Sequence, residues 1–141
     1  MKQTAKQPDI VLNAFDARRL NTLILTTEKS HYNLAPWLIR LRRVLEQAHM
    51  VLPAQIDPDR VTMNSTFTLQ NGRSQEKMNL SLIFPPALTD HIKPDSDEVN
   101  LSILTPLGLS VLGRRVGDWI AGRILIEKMI YQPEARNHFH L

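Results

Sequence analysis

"LTPLGLSVLGRRVGD", residues 104–118, is the stretch on which the reading of this chain turns. Thr105 stands before Pro106, a pair that starts a helix: the hydroxyl can accept a backbone N–H left without a partner in the first turn, and proline at the first helical position loses nothing by lacking its own. Leu107 and Val111 are one turn apart and share a buried side. Gly113 suits the left-handed conformation that ends a short helix. Ahead of the stretch Val99, Leu101 and Ile103 alternate as a strand does, and behind it Gly117-Asp118 turns the chain toward a last strand whose apolar residues are Ile120, Ile124, Ile126, Met129 and Tyr131. Their phase is imperfect, which predicts a bulge or a tight turn at Ala121-Gly122. The segment is therefore a strand-helix-turn-strand crossover, which is architecture without chemistry.

Upstream the period is two. Val61, Met63, Phe67 and Leu69 alternate with polar residues, Asn71-Gly72 gives a hairpin signal, and Met78, Leu80, Leu82 and Phe84 alternate again before the polar loop "PPALTDHIKPDSDE". Further upstream the period is helical. Ala17, Leu20, Leu23 and Ile24 line one face from Ala14 to Thr26 behind a candidate cap at Asn13. A second helix opens near Pro36, with Trp37, Leu38, Leu41, Leu45 and Ala48 on its apolar face. Between the two lies the aperiodic "TEKSHYNLA". The simplest arrangement is α+β: residues 1–50 form a short antiparallel helical hairpin, and residues 51–141 form an antiparallel β-sheet domain with one short crossover helix.

Composition narrows the function classes. The chain has 141 residues, no cysteine and a net charge of +3, enough length for one real core, no thiolate metal site or disulfide, and too little charge for a dedicated nucleic-acid binder. The charge is uneven: residues 1–50 carry eight Lys/Arg against four acids, and the remainder nine against ten. No apolar leader and no membrane-length run is present, so a cytoplasmic location is expected. There is no phosphate-cradling glycine loop, no His-Glu-x-x-His and no Gly-x-Ser-x-Gly, and the expectation is no catalytic residue, no cofactor and no metal. His138 and His140 alone, near the end of the chain, make a weak ligand pair and read as a tail.

Three motifs in order, "VTMNS" (61–65), "LTPLGLSVLGRRVGD" (104–118) and "YQPEA" (131–135), behind a helical hairpin, resemble the Rnk branch of the GreA/GreB transcription elongation factor family. The resemblance implies an FKBP-like sheet domain that docks on bacterial RNA polymerase near its secondary channel, with the hairpin directed at that channel. It also implies a difference. Cleavage-stimulating Gre factors carry paired acids at the tip of a long coiled coil, because two carboxylates are needed to hold a second magnesium ion. Here the tip offers Glu28 beside Lys29 and His31, and one carboxylate makes no such clamp. The family's polar-Ser-Pro contact with the polymerase rim corresponds to Leu104, Thr105 and Pro106, of which the proline is retained. The segment after Asp118 is shorter than in the family and lacks its Pro-Gly-Gly turn.

Each candidate contact also has a plain structural reading. Arg40, Arg42 and Arg43 either meet an acidic partner or form a solvated face with Glu46. Arg114 and Arg115 either bind or simply complement the end of a short helix. Trp37 and Trp119 read as core or interface anchors. An isomerase activity suggested by the fold would need an aromatic pocket, and Phe67, Phe84, Trp119 and Tyr131 are partly claimed by the core. The expected function is a non-enzymatic regulator that binds RNA polymerase without stimulating transcript cleavage and recognises no nucleic-acid sequence directly. The alternative is a protein-interaction module that regulates nucleoside diphosphate kinase.

Overall fold

A computed structural model of the chain describes residues 10–30, 35–85 and 99–138. Asn13 converts extended backbone into helix as its place before Ala14 predicts: its side-chain oxygen accepts the Asp16 amide at 2.6 Å. The short strand β1 (Val11–Asn13) leads into α1 (Ala14–Ser30), and α2 (Ala35–Gln47) leads into β2 (His49–Val51). β1 and β2 pair in parallel, Val11 opposite His49, so the chain enters and leaves the helical pair through neighbouring strands. The two helices pack on one another. Leu20, Ile24, Leu38, Leu41 and Leu45 are buried, the face that the helical period marks, while Leu25 and Ile39 point outward.

That buried face does not close on itself. It belongs to the same apolar cluster as Leu12, Phe67, Leu80, Leu82, Leu112 and Ile126, so the core runs without a break from the helices into the sheet, across the expected boundary at residue 50. The sheet comprises β3 (Thr66–Asn71), β4 (Lys77–Ile83), β5 (Val99–Ser102), β6 (Trp119–Ile120) and β7 (Ile124–Tyr131) in the order β5-β4-β3-β7-β6.

The expectation of an antiparallel sheet is corrected at one edge. β4 and β5 run parallel, Leu80 opposite Val99 through Ile83 opposite Ser102, so the sheet is mixed. A parallel pair needs a connection of a dozen or more residues, and 84–98 provides that length. Two local readings also change. The strand after the breaker-rich segment starts at Thr66 and not at Val61, because Asn64 takes a positive φ of 69° and Ser65 N–H closes a turn on the Thr62 carbonyl. Val61 pairs instead with the crossover, donating to Arg114 O at 2.7 Å and accepting from Gly113 N at 2.8 Å. The β3–β4 connection is longer than a two-residue Asn-Gly turn: the left-handed residue is Gln75 (φ 67°), and Asn71 Oδ1 gathers the amides of Arg73 and Ser74.

The crossover follows the opening motif. Thr105 Oγ1 accepts the Gly108 amide at 3.0 Å and caps α3 (Pro106–Val111), and Gly113 ends it at φ 77°. A Cβ on Gly113 would stand 2.4 Å from Ile10 Cγ2, so both the angle and the space demand glycine. The tight turn expected at Ala121-Gly122 is present, both residues having positive φ, and two register shifts between β3 and β7 mark the irregular phase of the last strand. Among the described residues no helix is long and apolar enough to cross a membrane.

Candidate functional site

Two of the three sequence motifs meet at the base of α1. "YQPEA" leaves β7 and folds into a 3-10 turn, Glu134–Arg136, which carries Glu134 under the start of the helix. There Glu134 accepts from Asn13 Nδ2 through one carboxylate oxygen and from Thr62 Oγ1 at 2.7 Å through the other. Thr62, from "VTMNS", also shares a 2.9 Å hydrogen bond with Ser65 Oγ, which accepts the Thr62 amide. In the first turn of α1, Asp16 accepts the Met63 amide at 3.0 Å and Arg19 Nη2 at 2.6 Å. The Arg19 guanidinium lies 4.5 Å from the centre of Phe15 and 4.8 Å from that of Phe84. Gln132 completes the joint by donating to the carbonyls of Asp57 and Arg60.

Asn13, Asp16, Thr62, Ser65, Gln132 and Glu134 are all buried. Burial pushes the Asp16 carboxyl up, against the opposing pull of Arg19 and the Met63 amide. Burial likewise raises Glu134, the Thr62 hydrogen bond opposes it, and the nearby Asp16 charge adds a smaller push in the same direction. Both carboxylates are occupied by protein donors, and among the described residues no three His, Asp or Glu side chains gather as a metal site. The arrangement is a closed polar joint. Sequence reasoning passed over it because its partners are far apart in the chain, 121 positions for Asn13 and Glu134, and no local period signals such a pair.

The residues singled out in the sequence lie elsewhere. Leu104 and Thr105 are half-buried and Pro106 is exposed. Thr105 spends its hydroxyl inside the fold, donating to Ser102 O at 2.7 Å as well as capping α3, so the proline is the member of that tripeptide open to a partner. Arg115 is exposed and paired with Asp59 at 3.0 Å, a contact that raises its already high pKa. Arg114 is half-buried. Beside them Arg60 is buried, donates to Gly113 O at 2.9 Å, and has its pKa lowered by burial first and by Arg115 next. On α2, Arg40 lies 5.6 Å from the Trp37 ring centre, and Arg43 is exposed. Glu28 and Lys29 fall in the last turn of α1, while His31 lies outside the described residues, as does His140. The two tryptophans part ways: Trp37 packs half-buried against the core, and Trp119 stands 53% exposed on β6.

No protein-family model matches the chain. The regulator of nucleoside diphosphate kinase from Escherichia coli is 32% identical over 143 residues, covering 96% of this chain and 98% of that one. The protein of the same name from Shigella flexneri matches to the same extent. Among solved structures, a prokaryotic transcription elongation factor GreA/GreB from Nitrosomonas europaea superimposes with a TM-score of 0.67 at 31% identity, over 89% of this chain and 100% of that one.

Proposed function

Because the chain belongs to the Rnk branch of the GreA/GreB family, we propose that it is a non-enzymatic, cytoplasmic transcription regulator that binds bacterial RNA polymerase near the secondary channel. In this reading residues 51–141 are an FKBP-like docking module, and residues 1–50 are a short antiparallel hairpin that occupies or covers the channel mouth. Pro106, Leu104, Thr105, Arg114 and Arg115 meet the polymerase rim, Arg40 and Arg43 give the hairpin a basic face, and Glu28, Lys29 and His31 form its tip. The observation that carries the proposal is likeness over nearly the whole chain to a Gre-factor structure and to Rnk-type regulators.

The tip chemistry supports the absence of cleavage stimulation. Between Thr27 and Pro36 the sequence has one acid, Glu28, and a single carboxylate leaves a second magnesium ion short of its usual oxygen ligands. The arms are also short: α1 has 17 residues, roughly 25 Å at 1.5 Å per residue.

The test is co-purification with core polymerase followed by competition with a cleavage-active Gre factor. Retention on polymerase, displacement by the competitor and no shortening of backtracked transcripts are expected. Failure to bind, binding indifferent to the competitor, or stimulated hydrolysis of the transcript would each overturn the proposal. The name of the Escherichia coli relative favours a second reading, contact with a nucleoside diphosphate kinase. Capture of that kinase by a protein that ignores polymerase would establish it in place of the first.

A further inference from the structure

At the β6 edge of the sheet the β3–β4 loop meets the β6–β7 turn, joined by a 2.8 Å hydrogen bond from the Gly72 amide to Arg123 O. Together they line a groove of about 700 Å³ whose side chains include Trp119, Arg73, Arg123 and Asn71, a size within the usual range for small-ligand sites. The indole is set in place from below. A Cβ on Gly72 would stand 2.8 Å from Trp119 Cζ3, so the glycine lets the indole rest close against the backbone, with more than half of the Trp119 surface in water. Among the described residues no carboxylate lines the groove, and neither Arg73 nor Arg123 is ion-paired.

An exposed aromatic plane flanked by two guanidiniums is the combination that binds unpaired nucleotides. A base stacks on the ring, and the phosphates meet the arginines. An acidic peptide would use the arginines alike, but its aspartates and glutamates have nothing to lay on the indole. We propose that Trp119, Arg73 and Arg123 form a sequence-independent stacking site for single-stranded nucleic acid, on the sheet module and not on the helical pair. The proposal stands apart from polymerase binding, since it uses none of the residues assigned to the rim or the hairpin.

The experiment is fluorescence anisotropy of a labelled oligouridylate with the full chain at low salt. Binding should weaken with added salt along a log–log slope of about −1.4, the value for two phosphate contacts on a single strand. Trp119→Ala and Trp119→Leu should weaken binding by roughly ten- to a hundredfold, while Trp119→Phe keeps most of it. The double change Arg73→Ala, Arg123→Ala should flatten the salt slope. An unlabelled single strand should compete well, and inorganic phosphate, a duplex or polyglutamate poorly. No binding at low salt, unchanged affinity in Trp119→Leu, or displacement by polyglutamate as effective as by RNA would overturn the proposal.

Discussion

The base of α1 and the rim at β6 invert the usual placement of residue types. At the base, two carboxylates, two hydroxyls and two amides are buried. Asn13, Asp16, Thr62, Ser65 and Glu134 are linked by hydrogen bonds, Gln132 bonds to neighbouring carbonyls, and a half-buried Arg19 pairs with Asp16. At the rim, an indole and two guanidiniums stand in water. A buried polar group without its partner costs free energy, so removing the Glu134 acceptor shared by Asn13 and Thr62 should destabilise the first arrangement. Trp119 rests on the Gly72 backbone but leaves more than half of its surface in water, so the fold uses only part of its apolar area. The difference separates residues tied into the fold by hydrogen bonds from residues left open to solvent, where the proposed single strand would bind.

The sharpest way to break this comparison is at Glu134. Glu134→Ala leaves Asn13 and Thr62 without their shared acceptor in a buried site, and a loss of about 3 kcal/mol is expected, read as a large drop in thermal midpoint. The acids also predict a pH signature. Both are raised in the folded state, so folded protein holds protons that the unfolded chain has released; their contribution is complete below the ordinary carboxylate range and is lost as pH rises through their folded values. The difference in stability between the native chain and Asp16→Asn, Glu134→Gln should therefore shift with pH from acid toward neutral, as followed by denaturant titration. A difference that is flat with pH would show that the joint carries no linkage. Thr105→Ala, which removes the α3 cap, should cost about 1 kcal/mol in the same assay. At the rim, Trp119→Ala and Arg123→Ala should leave the melting temperature where it was, and so should Arg115→Ala, whose pair with Asp59 is open to solvent. A large fall in any of these would erase the contrast between the two regions.

What the sequence discloses follows the same division. Alternation places β3, β4, β5 and β7, and the three- and four-residue steps place both helices, because these are local periods imposed by a shared core. Thr105-Pro106 and Gly113 announce α3 because caps act within a few residues. The parallel pairing of β5 is not legible, since strand direction depends on the path of a long connection and not on the strand's letters. The loop after Asn71 misleads because its left-handed residue is Gln75, while Gly72 lies against an indole 47 positions later, a contact that no local turn signal announces. The polar joint is invisible for the same reason: Asn13, Thr62 and Glu134 are unremarkable residues until three distant segments bring them together. Residues 31–34 and the polar loop at 86–98 lie outside the described residues, so His31 rests on sequence alone, while Glu28 and Lys29 fall in the last turn of α1.

The parallel ribbon of β1 and β2 fixes the two feet of the helical pair at one strand spacing, about 4.8 Å, whatever lies above them. Extra turns added symmetrically at the far end would meet the same two footings, so a longer or shorter pair of arms could be grafted without rebuilding the platform beneath. Reach in this architecture is a modular quantity, open to revision by insertion and deletion while the foundation keeps its register.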